Sequence, residues 1–178
     1  MIIMIGGVPC SGKSTIMGKL IERLEEPTYI EPMPLFKCQE HGDILVLGQY
    51  YRGETFGGTD RLSYASIPFF PEFCDGVSVG YKHTLIEGDR FFKADHIEWL
   101  LDNHEAVVYV LNVDIEAENN RHEARGDTQS EVWLKGRRSQ INNILTNMNL
   151  MGALEPRNNN TIEQQIQITE EIYGKIIQ

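Results

Sequence analysis

The stretch "GGVPCSGKST" (6–15), directly after the apolar run "MIIMI", constrains this chain more than any other part of it. Gly7-Val8-Pro9-Cys10-Ser11-Gly12-Lys13-Ser14 satisfies G-x-x-x-x-G-K-[ST], the Walker A spacing. Each residue type has a physical reason to be there. Gly7 and Gly12 allow turns that a side chain would obstruct. Successive N–H groups can then converge on phosphate oxygens, with the positive end of the following helix behind them. Lys13 is placed to reach β- and γ-phosphates, and the Ser14 hydroxyl to ligate Mg²⁺. The loop and Thr15 just beyond it are therefore the candidate ATP site. The flanks agree with this reading. "MIIMI" suits a buried parallel strand, and Ile16, Met17, Leu20, Ile21 and Leu24 recur at helical spacing.

Strand and helix patterns alternate along the rest of the 178 residues. The first helix is expected to run to about Glu26, before Pro27. A short strand, "TYIE" (28–31), follows. "EHGD" then separates two apolar runs, which predicts a β-hairpin insertion over about 33–50, turning at His41-Gly42-Asp43. Residues 68–83 look mainly helical, and "TLIEGDR" (84–90) reads as a strand with charged residues at its end. A helix over 93–102 and a buried strand over 106–113 come next. Asp114 can cap a helix reaching Arg125. Thr128 with Glu131 has capping-box spacing, opening a helix with Leu134, Ile141, Leu145 and Met148 on one face. A last strand over 152–160 precedes a second capping box, Thr161 with Gln164. The final helix would carry Ile162, Ile166, Tyr173 and Ile176 on one face.

This order predicts an α/β three-layer sandwich with a mainly parallel five-stranded sheet. It would form one domain over 1–178, with the hairpin insertion and a lid-like segment over about 115–138. The site belongs along the carboxyl edge of that sheet.

Composition narrows the partners. The net charge is −10, from 16 basic and 26 acidic residues, which disfavours tight non-specific attachment to DNA or an anionic membrane. Three cysteines, Cys10, Cys38 and Cys74, are poor material for a disulfide framework and suggest a reducing, cytoplasmic setting. "CQEH" (38–41) has no second ligand pair to complete a zinc site. The opening run is too short to span a bilayer.

Three further segments favour a small phosphotransferase among proteins with this loop. Glu87, Asp89 and Arg90 stand where a strand should end, placed to organise Mg²⁺, its water shell or an acceptor. Arg121 and Arg125 share a helix face, and Arg137 and Arg138 follow in "KGRR"; guanidinium groups on a lid could stabilise the transferring phosphoryl group. "GGTDRLS" (57–63) would place Asp60 and Arg61 beside an acceptor hydroxyl. Asp60 is the first candidate for the base that takes the acceptor proton, and Asp89 the second. No N-K-x-D motif of a GTPase is present, and the chain is short for a motor with a second helical subdomain.

"GGVPCSGKST", "FGGTDRLS", "LIEGDRFF" and "LKGRRSQINNIL", in that order, resemble the phage-encoded P-loop kinases that include 5-hydroxymethyluridine DNA kinases. The resemblance spans about residues 1 to 145. It implies a nucleoside- and nucleotide-kinase-like fold. It also implies ATP-dependent phosphorylation of the base hydroxymethyl group within phage DNA, in the host cytoplasm. Arg61, Glu87, Arg90, Arg137 and Arg138 would then contact the acceptor. Catalysis would fall to Lys13, Asp60, Asp89, Arg121 and Arg125. The competing expectation is a kinase of a free nucleoside or nucleoside monophosphate, which suits the acidic total. The pattern leaves the oligomeric state open.

Overall fold

The structure, a computed structural model, describes residues 1–51, 57–126 and 130–178, without the Arg125 side chain. Its centre is β1 (Ile2–Gly7), buried along its whole length. β1 pairs in parallel with β5 (His83–Glu87) on one side and β6 (Ala106–Asn112) on the other. β6 in turn pairs in parallel with β7 (Leu154–Asn158). Beyond β5 lie β4 (Ile44–Leu47), β3 (Phe36–His41) and β2 (Thr28–Met33), giving the order β2-β3-β4-β5-β1-β6-β7.

The sheet therefore has seven strands, not five. Its parallel part does contain five, but one was misplaced in the sequence. The strand beside β5 is β4, whereas "TYIE" lies in β2 at the far edge, antiparallel to β3. The expected hairpin is real and turns at Gly42, which has φ 62°. It is not an outlying insertion, because β4 is fully apolar and buried and docks directly on β5. A run of Ile-Leu-Val-Leu cannot remain at a solvated rim when a parallel neighbour can cover it.

Alternation along β1 sets up the layers. Ile2 and Met4 join a cluster on one face with Phe36, Phe70, Phe73, Phe91, Ile97, Leu100 and Ile141. Ile3 and Ile5 join the other cluster, with Ile16, Met17, Leu20, Ile168, Ile172 and Ile176. The first face is covered by α2 (Phe70–Gly76), α3 (Ala94–Asn103) and α5 (Glu131–Leu145). The second is covered by α1 (Lys13–Ile21) and α6 (Ile162–Ile176). α4 (Ile115–Arg125) precedes α5 and contributes little to either core.

Helix ends follow local chemistry more closely than apolar spacing. Asp114 accepts from the Ala117 N–H at 2.8 Å and opens α4. Thr161 and Gln164 form both bonds of the expected capping box. α5, by contrast, is capped by Ser130, which accepts from the Trp133 N–H at 3.3 Å; Thr128 lies outside the described residues. α1 stops at Ile21, short of Glu26. α5 ends at Leu145, leaving Met148 exposed rather than on its buried face. α6 buries Ile168, Thr169, Ile172 and Ile176, while Ile162 and Ile166 are exposed. No helix among the described residues is long and apolar enough to cross a membrane.

Candidate active site at the carboxyl edge of the sheet

The loop after β1 sits where the chain leaves β1 between β5 and β6, at the point where the strand order reverses. Gly7 has φ 149°, and a Cβ there would run into the Leu111 carbonyl. Gly12, at φ 86°, caps α1 with no side-chain hydrogen bond, and no acidic residue occupies the first turn. The first turn of α1 thus carries no acidic side chain of its own to occupy its N–H groups, which suits a phosphate. Lys13 Nζ folds back over the loop, donating to the carbonyls of Gly7 (3.1 Å) and Val8 (3.0 Å). Its ammonium also stands 3.8 Å from Asp89 Oδ1. Cys10 adopts φ 54°, unusual for a side-chain-bearing residue, and Ser11 beside it is fully buried. Asn159, in the turn between β7 and α6, donates to the Ser11 carbonyl at 2.7 Å and fixes the back of the loop.

Arg121 joins the same bracing. Its guanidinium donates to the carbonyls of Cys10 (3.0 Å), Asn159 (2.7 Å) and Asn160 (3.3 Å). Its donors are therefore directed at backbone rather than held out toward a transferring phosphate. A cleft of about 500 Å³ opens here, lined by Cys10, Gly12, Thr15, Arg121, Ala124, Asn159, Asn160, Ile162 and Gln165.

The end of β5 supplies the acidic side. Glu87 is buried and accepts from Ser14 Oγ (3.1 Å) and from the Tyr50 hydroxyl (2.6 Å). Burial pushes its carboxyl up to about 7, even though the Tyr50 bond and the Lys13 charge oppose the shift. Asp60 lies in the 3-10 turn Thr59–Arg61 that follows the paired glycines. Its Oδ1 accepts from the Asp89 N–H at 3.3 Å. Partial desolvation and then the Asp89 charge raise the Asp60 carboxyl above its ordinary value, although the residue keeps contact with solvent. Arg90 locks the turn by donating to the Asp60 carbonyl (2.7 Å) and the Thr59 carbonyl (3.4 Å).

Close backbone packing surrounds this turn. Thr59 Oγ1 donates to the Glu87 carbonyl at 2.7 Å. A Cβ on Gly48 would collide with Gly58, one on Gly58 with the Tyr50 hydroxyl, and one on Gly88 with Thr59. Tyr50 is itself held from both sides, since the Gln39 side chain accepts from its N–H (3.0 Å) and donates to its carbonyl (3.3 Å). Tyr50, Asn159 and Asn160 carry no motif and were missed in the sequence, and Thr59 lies within "GGTDRLS" without having been singled out. Only their position beside "GGTD" and after the last strand could have drawn attention to them.

The structure thus brings Lys13, Ser14, Asp60, Glu87, Asp89 and Arg90 to one edge. Arg137 reaches it from α5, with Nε 3.8 Å from Asp89 Oδ2. Arg61 lies over the Tyr51 ring at 5.7 Å, on the same turn as Asp60. Arg138 does not reach the edge; its Nε is bound to Glu118 Oε2 at 2.9 Å, between α5 and α4. The Arg125 side chain lies outside the described residues.

Mg²⁺ suits the donor set near Ser14. The groups are hard oxygens, the Ser14 hydroxyl and the Glu87 carboxyl that it donates to. No cluster of three or more His, Cys, Asp or Glu able to hold a metal occurs among the described residues. Mg²⁺ needs none, because it relies on one or two protein oxygens together with phosphates and water.

A Walker A loop after the central strand of a mostly parallel sheet, facing carboxylates gathered at the end of the neighbouring strand β5, defines a P-loop nucleotide kinase-like protein. The P-loop Nucleotide Kinase3 family model matches residues 1–163, and the chain belongs to that family. No curated protein matches it. Among solved structures, deoxyadenosine kinase from M. mycoides, with products dCMP and a flexible dCDP bound, aligns at 10% identity and TM-score 0.48, over 98% of this chain and 100% of that one. A candidate kinase from Chloroflexus aurantiacus aligns at 13% identity and TM-score 0.45, over 98% of this chain and 94% of that one.

Proposed function

We propose that this protein is an ATP-dependent phosphotransferase acting on the hydroxymethyl group of 5-hydroxymethyluridine in phage DNA. The observation that carries the transfer reading is the meeting of Lys13 with the Asp60–Asp89 pair: an ammonium beside the donor loop, 3.8 Å from one carboxylate, which in turn adjoins the other. The acceptor assignment rests on the resemblance of "GGTDRLS" and "GRRSQINNIL" to the phage DNA kinases.

The loop amides and the start of α1 grip the β- and γ-phosphates, and the base of ATP lies in the cleft beside Arg121 and Asn159. Arg121 acts there as a brace that sets the loop against the β7–α6 turn. Ser14 would hold Mg²⁺, with Glu87 or Asp89 reached through water; the ion supplies charge compensation at the phosphates. Asp60 accepts the proton of the hydroxymethyl group as its oxygen attacks the γ-phosphorus and ADP departs. Asp89 holds Lys13 and Arg137 in place and is the reserve candidate for the base. Arg61 and Arg90 face the acceptor, and Arg125 belongs to the lid over the donor. The chain works as one domain in the host cytoplasm.

The acidic total, net −10, favours a second reading, a kinase of a free nucleoside or nucleoside monophosphate. Incubation with γ-labelled ATP, Mg²⁺ and either modified duplex DNA or free nucleosides and monophosphates separates the two. Label in the DNA is the expected result. Label confined to the free compounds would replace the acceptor assignment, and label in neither would remove the transferase reading.

A further inference from the structure

Two exposed aromatic rings are each backed by a guanidinium, one of which also binds the Asp60 backbone and the other the Asp89 carboxylate. Arg90 lies 3.6 Å from the centroid of Tyr64 and donates to the Asp60 carbonyl. Arg137 lies 5.4 Å from the centroid of Trp133, its position at i and i+4 on α5, and faces Asp89 Oδ2. Tyr64 is 71% exposed and Trp133 38%, whereas Phe70, Phe73, Phe91 and Phe92 are fully buried. A ring left in water is not held there by burial. The guanidinium stands against one face of it.

We propose that Tyr64 and Trp133 are stacking platforms for the nucleobases flanking the acceptor nucleotide, so that the acceptor is recognised as one unit of an unpaired or locally opened strand. This rests on the phosphotransfer reading above and adds a binding surface to it. Base stacking on an aromatic face tolerates any sequence, because every base has a π-face. The two backing guanidiniums supply charge complementary to the phosphodiesters on either side of the target, where Asp60 and Asp89 alone would repel them. A third pair, Arg61 over Tyr51, with Tyr51 stacked on Tyr29 at 5.3 Å, extends the same pattern along the acceptor side. Because few contacts to consecutive phosphates are needed, this mode is compatible with an acidic protein.

The test uses the full chain and two short probes. One is a deoxytrinucleotide with 5-hydroxymethyluridine at its centre and thymines on both sides; the other has abasic units in place of the thymines. Binding is read by tryptophan fluorescence and by anisotropy of an end-labelled probe. The base-flanked probe should bind about 5- to 100-fold more tightly. Tyr64→Leu and Trp133→Leu should each reduce that preference, and Tyr64→Phe should keep it; melting temperatures identify any variant that fails to fold. Equal binding of the two probes by the unmodified protein, or equal weakening of both by Tyr64→Leu, would overturn the proposal. Failure of phosphate transfer to every acceptor, with the preference for flanking bases intact, would sink the phosphotransfer reading and leave the stacking surface standing.

Discussion

The Walker A loop and the Thr59–Arg61 turn lie on the same sheet edge but are held by different means. At the loop, backbone does the work. Gly7 and Gly12 adopt positive φ, Lys13 bonds to Gly7 and Val8 carbonyls, and Arg121 and Asn159 bond to the Cys10 and Ser11 carbonyls. At the turn, side chains from separate segments of the chain interlock. Glu87 receives Tyr50 and Ser14, Asp60 receives the Asp89 N–H, and Arg90 ties Thr59 and Asp60. A backbone cradle fits any triphosphate and can be encoded in eight consecutive residues. A network drawn from α1, the segment between β4 and β5, and the end of β5 exists only once the sheet has formed.

The contrast can be broken most forcefully at Lys13. A charge within about 4 Å of a phosphate is worth roughly 4 kcal/mol at an effective dielectric of ~20, so Lys13→Ala should lower turnover about a thousandfold. Unchanged single-turnover rates would separate the ammonium from the donor. On the acceptor side, Asp60→Asn should lower kcat by ~10²-fold with little change in ATP affinity. A change confined to KM would make Asp60 a positioning residue, and a loss seen only in Asp89→Asn would move the base to Asp89.

Smaller effects probe how the turn is supported. Gly58 has φ 66° and ψ −143°, and its missing Cβ makes room for the Tyr50 hydroxyl. Gly58→Ala should cost about 1–3 kcal/mol from backbone strain alone, read as a lower denaturation midpoint. An unchanged midpoint would show that Gly58 does not depend on this positive-φ conformation. Glu87 adds a pH dependence. Burial raises its carboxyl to about 7 from the ordinary 4.5, so the folded state binds the extra proton between these values. Stability from this group is therefore present below about pH 4.5 and lost as pH rises toward about 7, by roughly 3 kcal/mol in all. Glu87→Gln should flatten that part of the stability profile in the absence of nucleotide and Mg²⁺. A slope that persists in Glu87→Gln would assign it to other groups. The least of these effects is Thr161→Ala, which removes half of the α6 capping box and should cost about 1 kcal/mol without altering transfer.

What could be read from the chain follows the same division. The donor loop, β1, β5, β6 and the α4 and α6 caps were legible because each is specified by neighbours in sequence: glycines at turns, apolar runs, an Asp or Thr before a helix. The edge of the sheet was not. "TYIE" and "ILVL" are both short strand-like runs, and only the competition for the place beside β5 decides that the more apolar one becomes the parallel neighbour. The face of α6 was misjudged for a related reason. Ile162 and Ile166 keep helical spacing, but they precede the part of the helix that lies over the sheet. Asp60, Glu87 and Asp89 could be picked out by residue type, whereas Tyr50 and Asn159 are defined only by contacts over 37 and 148 residues of separation.

A calorimetric titration of ATP into the protein, with and without Mg²⁺ and repeated with Lys13→Ala, examines the phosphate cradle most directly. Saturable binding that strengthens with Mg²⁺ and collapses in the variant is the expected result. Absence of triphosphate binding by the unmodified protein, or equal binding by the variant, would contradict the assignment of the loop.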